Sequence, residues 1–270
     1  MKLLNGSELA EYVKERQARQ VRGLRQHDKT IPRLAIVVAN NDPVIDTYMR
    51  LKQNYAVDIL IDVDIHKVLV GEVENKLDEL NNNQSVKGII LQLPLSDALK
   101  TDELVAKIAS EKDVDGLGPD SDFGSATAIA INWLLAGYNV ELSGKKIVII
   151  GRGRLVGGPL AKMWQDSGYD IEVLDKETLD IKSKTLSADI IVSATGVAGL
   201  LTSDMIQPGA VVVDAGTASE NGQIVGDVAD EVYDRDDITI TPRRGGVGPL
   251  TIATLMDNVI RATRSSVKTD

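Results

Sequence analysis

The chain has 270 residues, no cysteine, and 30 Lys and Arg against 40 Asp and Glu, for a formal net charge of -10. That length buries a substantial core as one or two domains, and the negative charge repels nucleic acid and anionic membranes while leaving room for a small anion in a local positive pocket. Without thiols there is no disulfide, thiolate metal site or cysteine nucleophile, and with only His27 and His66 as imidazoles no metal site is expected.

The N-terminus, MKLLNGSELAEYVKERQ, becomes charged before an apolar stretch of signal-peptide length forms, and no later run approaches a membrane span. The expectation is a soluble, cytoplasmic protein. Along the chain, apolar runs of strand length alternate with amphipathic segments of helix length, the order of an α/β fold with largely parallel sheets. An opening helix carries Leu9, Val13, Val21 and Leu24 on one side, and is followed by the strand RLAIVVAN and a helix around PVIDTYMRLKQNYA. On that helix Tyr48 and Lys52 stand one turn apart, so they project from the same face and can act on one group; on a surface helix the same pair is solvated decoration.

Next come the strand DILIDVDI, a helix over GEVENKLDELNN, the strand KGIILQLPL and a helix over TDELVAKIAS. Gln92 is a polar residue at the end of an apolar strand, just before Pro94, and strand carboxyl ends are where parallel sheets bind ligands. In KDVDG, Asp113 and Asp115 precede a glycine, a place where Asp side chains also serve to cap local N–H groups. Gly, Pro, Asp and Ser then crowd together in KDVDGLGPDSDFGS, which reads as a boundary between a first domain over 1–122 and a second over 123–248. The second series opens with the helix ATAIAINWLLAGYN and has the strands KKIVIIG, DIEVLD, ADIIVSATG, AVVVDAG and DITITP. A closing helix over 249–266 lies beyond the last strand and can pack back against the first domain, leaving a polar tail, SSVKTD, expected to fray.

KKIVIIGRGRLVGGPLAKMW is a buried-strand run, then Gly151, Gly153, Gly157 and Gly158, then a helix with Pro159 in its first turn. Glycine at the strand end permits a tight turn, glycine without a Cβ lets a pyrophosphate approach, and the helix N-terminus offers N–H groups and a positive dipole end. The spacing G-x-G-x-x-x-G is one residue longer than the usual dinucleotide fingerprint, and the plain alternative is a tight connection without a ligand. Asp175 closes the next strand, where a carboxylate would meet the ribose hydroxyls of NAD; Arg152, Arg154 and Lys176 would instead suit the extra phosphate of NADP, and an ordinary solvated strand end is a third reading of Asp175. Near the C-terminus, GGVGP follows a strand, and so bare a backbone suggests that something approaches the main chain closely.

Taken together, YMRLK, LQLPL, KDVDG, GRGRLVGGP, VVVDAGT, VGDV and TPRRGGVGPLTIATLM resemble, in order and in rough spacing, the bifunctional methylenetetrahydrofolate dehydrogenase/methenyltetrahydrofolate cyclohydrolase family, from about Leu34 to Asn258. The resemblance implies two α/β domains, the C-terminal one a Rossmann-type parallel sheet, with the last helix returning to the N-terminal domain and folate bound in a cleft facing the nicotinamide. It further implies a catalytic Lys52, with Tyr48 over the pterin, Gln92 hydrogen-bonded near the lysine, and Asp115 gripping the pterin's amino edge. The cofactor set it carries is Gly151, Arg152, Gly153, Val156, Gly157, Asp175, Lys176, Thr195 and Gly196. Gly246, Val247, Gly248, Pro249 and Thr251 join Tyr48 and Asp115 on the substrate. NADP is the family's usual cofactor, with NAD admitted by Asp175. Tetrahydrofolate one-carbon derivatives are the implied partners, with a homodimer through the Rossmann domain and a place in one-carbon metabolism and purine biosynthesis.

Several positions depart from the family. SATAIA stands where a Pro-Cys-Thr-Pro segment is usual, Gly153 replaces a serine after Gly151-Arg152, and Asn54 replaces a second lysine. Pro242-Arg243-Arg244 replaces Pro-Val-Pro, placing two cations where folate's glutamate carboxylates or the cofactor phosphate could meet them. The competing expectations are a dehydrogenase of another small substrate and a non-catalytic dinucleotide sensor.

Overall fold

The computed structural model describes residues 2–40, 42–220 and 223–268. Its strands are β1 (Lys2–Leu3), β2 (Arg33–Val38), β3 (Asp62–Lys67), β4 (Gly88–Gln92), β5 (Ile147–Ile150), β6 (Ile171–Leu174), β7 (Ile190–Ser193), β8 (Val211–Asp214), β9 (Ala218–Glu220), β10 (Gln223–Val225) and β11 (Thr239–Ile240). Its helices are α1 (Gly6–Gln26), α2 (Pro43–Asp58), α3 (Val73–Asn82), α4 (Thr101–Val105), α5 (Ala126–Gly137), α6 (Gly157–Asp166), α7 (Ile181–Leu186) and α8 (Val247–Lys268). Contacts divide the chain into two units, one holding Glu11–Ala126 and the chain from Ile252 onward, the other the chain up to Ala10 and Thr127–Thr251.

The first unit is built on a parallel sheet of order β3-β2-β4. The central strand β2 reads RLAIVV with all but its first residue buried, as expected where both faces of a parallel sheet are covered. Ala35, Val37, Ile89 and Leu91 cluster with Val73, Leu77 and Leu80 of α3 and Leu104 and Val105 of α4. From Ile252 on, α8 belongs to this unit, in keeping with the expected return of the last helix. Fully buried Gln17 of α1 donates to Ala253 O (2.8 Å) and accepts from the Tyr55 hydroxyl of α2 (2.9 Å). Asn258 Nδ2 of α8 donates to Val114 O (2.9 Å). A buried amide with its partners supplied makes such a three-helix junction specific.

Two segments differ from the sequence expectation. DILIDVDI reads as one strand, but α2 runs to Asp58, the chain turns at Leu60 (φ 66°), and β3 starts only at Asp62. Arg25 Nε bonds to Leu60 O (2.9 Å) and its Nη2 to Asp62 (2.7 Å), so Ile59 and Ile61 are buried as turn residues rather than strand residues. TDELVAKIAS reads as a full helix, but α4 ends at Val105, and the Asn81 side chain takes Lys107 O (2.7 Å) and Ala109 N (3.0 Å). A side chain that satisfies backbone groups in this way offers them an alternative to another helical turn.

The second unit carries a six-stranded, wholly parallel sheet of order β1-β11-β8-β7-β5-β6, the Rossmann-type sheet that was expected. All residues of β5 (IVII) and β7 (IIVS) are buried. The order reverses at β5, with β6 on one side and β7 on the other, so a crevice is expected beyond the carboxyl ends of β5 and β7. The edge strand β1 is too short to show periodicity in the sequence; it pairs Lys2 with Thr239 and Leu3 with Ile240, and the Tyr138 hydroxyl fixes the following Asn5 through both its N–H (3.0 Å) and its carbonyl (3.2 Å). The short helix α7 and the antiparallel pair β9-β10 likewise lack a sequence period long enough to read. α8 continues through Lys268, so most of the tail expected to fray is helical, and Thr269 and Asp270 lie outside the described residues. Among the described residues no helix is long and apolar enough to cross a membrane.

Candidate active site

Lys52 and Tyr48 lie on α2 of the three-stranded unit, both half-buried. Lys52 Nζ donates to Gln92 Oε1 at 2.8 Å, and Gln92 Nε2 donates to Leu93 O at 2.9 Å. The second bond sets the first. With its NH₂ held by a carbonyl, the amide of Gln92 can turn only its oxygen toward the lysine. Gln92 occupies the last position of β4 opposite Val38 of β2, the strand-end placement that its polarity suggested.

Burial pushes the Lys52 ammonium below its ordinary pKa, and the charge of Asp115 partly opposes that shift. Asp115 is itself pushed up by burial, held down by Lys52 and raised further by Asp113. Two desolvated groups of opposite sign thus moderate one another. With Asp115→Asn, the Lys52 titration is expected to move to lower pH, because the charge favouring the ammonium disappears while burial persists. NMR titration of isotope-labelled methylated lysines measures this, and an upward movement would contradict the coupling.

Each residue of KDVDG has a separate task. Lys112 Nζ donates to Leu80 O (3.1 Å), Asn81 O (2.6 Å) and Asn83 O (2.9 Å), closing the carboxyl end of α3 with a cation where the helix dipole favours one. Asp113, 1% exposed, accepts from Gly116 N (3.2 Å) and Gly118 N (2.7 Å), the turn-capping role open to it from the sequence. Val114 is in the core, and Gly116 (φ 68°) could not carry a side chain, since a Cβ would lie 2.4 Å from the Gly124 carbonyl group. Asp115 carries the charge that acts on Lys52.

In the six-stranded unit the glycine turn sits at the end of β5, beside the strand-order reversal. A Cβ on Gly151 (φ 97°) would fall 2.4 Å from Ala194 O, and one on Gly157 would fall 1.9 Å from Gly151 O. A Cβ on Gly153 would meet nothing closer than 4.0 Å, and one on Gly196 nothing within 4 Å. The first two glycines therefore answer to the chain's own packing, whereas the space before Gly153 and Gly196 is open. α6 begins at Gly157 behind Val156, with no side-chain cap on its N-terminus. Open backbone, an uncapped helix start and the exposed cations Arg152 and Lys176 fit the pyrophosphate and phosphate groups of a dinucleotide. Asp175 Oδ1 accepts from Glu177 N (2.9 Å) and Thr178 Oγ1 (3.3 Å), so that oxygen already closes the turn after β6.

Near the start of α8, the backbone approach behind GGVGP is partly internal. Gly245 O accepts from Ser7 N (2.9 Å), and a Cβ on Gly6 would lie 1.8 Å from Gly246 O. Gly248 has open space before it. Val247 and Pro249 lie in the first turn of α8, and Thr251 Oγ1 donates back to Val247 O (3.2 Å). Arg243 is held within its own unit, on Asp230 Oδ1 (2.8 Å) and over the Tyr233 ring at 4.2 Å, while Arg244 is exposed.

Three residues with no role assigned from the sequence, buried Ser193 and Asp227 and half-buried Asp214, form a polar group at the ends of β7 and β8. Asp227 Oδ2 accepts from Ser193 Oγ (2.8 Å) and from Thr195 N (2.6 Å), and Asp214 accepts from Asp227 N (3.0 Å), Val228 N (3.1 Å) and Gly216 N (2.9 Å). For Ser193 and Asp214 the available signal was the one that singled out Gln92, a polar residue closing an apolar strand.

Comparison with known proteins assigns a family to each half of the chain. Residues 4–115 match the family described as tetrahydrofolate dehydrogenase/cyclohydrolase, catalytic domain, and residues 125–267 match its NAD(P)-binding domain. The bifunctional protein FolD of Lactobacillus acidophilus is 37% identical over 277 residues, covering 97% of each chain. The crystal structure of the bifunctional FolD enzyme of Campylobacter jejuni matches with a TM-score of 0.91 at 34% identity, over 98% of this chain and 99% of that one. The Trypanosoma brucei methylenetetrahydrofolate dehydrogenase-cyclohydrolase, solved with NADP and an inhibitor, matches with a TM-score of 0.92 at 29% identity, over 98% of each chain. With both family domains matched in order along nearly its whole length, the chain belongs to the tetrahydrofolate dehydrogenase/cyclohydrolase family.

Proposed function

We infer that the protein oxidises 5,10-methylenetetrahydrofolate to the methenyl form with NADP and hydrolyses the methenyl form to 10-formyltetrahydrofolate. The observation that carries this reading is the bond from a desolvated Lys52, its charge coupled to Asp115, to an orientation-locked Gln92. Folate chemistry falls to the three-stranded unit and dinucleotide binding to the six-stranded one.

Asp115 offers a carboxylate to the paired donors of the pterin's amino edge, and Tyr48 covers the ring from the same helix face as Lys52. NADP, when bound, supplies the acceptor for the hydride leaving the one-carbon bridge, and Gly151, Arg152, Gly153, Val156, Gly157, Lys176, Thr195 and Gly196 are the residues that would hold it. In the hydrolytic step water adds to the methenyl carbon, Lys52 takes one proton from that water and passes it to the ring nitrogen as its bond to carbon breaks, and the remaining hydroxyl proton is released to solvent as the formyl C=O forms. A lysine brought toward neutrality by burial is suited to this exchange, and Gln92 keeps its nitrogen in place between the two transfers. NADP is favoured over NAD because Asp175 has a turn to close, while Arg152 and Lys176 are exposed cations. The same reading carries a homodimer through the six-stranded unit, residence in the cytoplasm and supply of formyl groups to purine biosynthesis.

The test is direct. Purified protein given methylenetetrahydrofolate should generate the absorbance of reduced cofactor with NADP, and more slowly with NAD in a separate cuvette. Absence of reduction with both would remove the dehydrogenase assignment.

A further inference from the structure

We propose that Asp227 is a positioning residue for dinucleotide binding, fixing the end of β7 against the glycine turn without touching the cofactor itself; this rests on the functional reading above. The turn at Gly151 and the segment Ala194–Thr195 leave the two strands that flank the order reversal, and they are in close backbone contact, since a Cβ on Gly151 would come within 2.4 Å of Ala194 O. Whatever fixes Ala194–Thr195 therefore fixes the shape of the turn. Asp227 does so from both sides of Ala194, because one oxygen receives the Ser193 hydroxyl and the Thr195 N–H together. Beyond that clamp the chain opens into Gly196, with free space before it, and the exposed Val197, whose N–H bonds back to Thr195 Oγ1 (3.1 Å).

The clamp is itself immobilised. Asp227 is 0% exposed, its N–H is held by Asp214, and its carbonyl accepts from Leu201 N (3.0 Å). A Cβ on Gly216 would fall 2.0 Å from Asp227 Oδ1, and one on Gly226 would fall 2.0 Å from Asp214 Oδ2, so glycines stand where any side chain would push either carboxylate aside. Asp227 Oδ1 has no hydrogen-bond partner among the described residues. A buried carboxylate with one idle oxygen is a costly way to satisfy one hydroxyl and one amide, which a neutral acceptor could also do. What the charge adds is a short, strongly directed bond to Thr195 N, and directing that peptide serves whatever lies against Thr195 and Gly196.

The test uses the full-length protein with Asp227→Asn and Ser193→Ala, reading NADP affinity by titration calorimetry and methenyltetrahydrofolate hydrolysis in parallel. Asp227→Asn is expected to weaken NADP binding about tenfold and Ser193→Ala about threefold, in line with losing a charge-assisted and then an ordinary hydrogen bond at the loop. Hydrolysis, whose proton transfer relies on Lys52 and Gln92 of the other unit, should stay within about twofold of wild type, a split that general destabilisation would not produce. Should Asp227→Asn fail to fold, Ser193→Ala still decides the matter. Wild-type NADP affinity in a folded variant, or equal loss of binding and hydrolysis, would overturn the proposal. A wild-type protein that binds neither NADP nor NAD would overturn the functional reading instead.

Discussion

Replacing Lys52 with methionine is expected to lower methenyltetrahydrofolate hydrolysis by about 10²–10⁴-fold, the usual contribution of a positioned proton-transfer group, while methylenetetrahydrofolate oxidation stays measurable. The asymmetry follows from the chemistry of the two steps. Hydrolysis moves protons between water and a ring nitrogen, whereas oxidation passes a hydride and depends chiefly on how the reactants are held. Methionine keeps most of the side-chain length of Lys52 and removes the nitrogen bonded to Gln92 Oε1. The measurement is a paired assay of both reactions on one preparation, with thermal unfolding as a control. Equal loss of both would show that Lys52 serves binding or folding rather than proton transfer.

A pair of glycine substitutions should separate packing from ligand approach at the dinucleotide turn. In Gly157→Ala the new methyl would stand 1.9 Å from Gly151 O, so the turn and the first residues of α6 must move apart. Such overpacking costs about 1–3 kcal/mol, and the displaced turn should no longer hold NADP. In Gly153→Ala the methyl meets no protein atom closer than 4.0 Å, so the melting temperature should match wild type. Its NADP affinity should nonetheless fall about tenfold or more, because the space that a pyrophosphate would enter is now occupied. Calorimetric titration combined with melting curves reads both effects. Unchanged NADP affinity in Gly153→Ala would mean that the phosphates lie elsewhere.

The sequence made the α/β alternation legible because strands buried on both faces, such as IVII and IIVS, read as unbroken apolar runs between amphipathic segments. Where an apolar run is shared between a turn and a strand, as at Ile59 and Ile61, periodicity has nothing to distinguish, and a distant side chain, Arg25, decides the boundary. The pairing of Lys52 with Gln92 could be suspected from a helix turn and a polar strand end, but the bond between them depends on the β2-β4 register, a non-local fact. The division of labour inside KDVDG was out of reach for the same reason. The sequence offers two aspartates a residue apart, and only the fold shows one accepting from two backbone amides and the other acting by its charge on a lysine. Asp227 lies far along the chain from the strand end it serves, so no local pattern ties it to Thr195.

The small sheet also has two free margins to protect. Along β3, Asp62 and Asp64 are engaged by Arg33, with Arg25 also on Asp62, while Lys67 pairs with Asp46, so a foreign strand seeking to add there would have to strip water from a row of charges. At the opposite margin Ile89 of β4 already bridges to Asp113, a stub of extra pairing supplied by the loop that presents Asp115. The segment that carries Asp115 thereby also discourages edge pairing of this sheet, and crowded refolding should favour the lone chain over sheet-to-sheet aggregates of this unit.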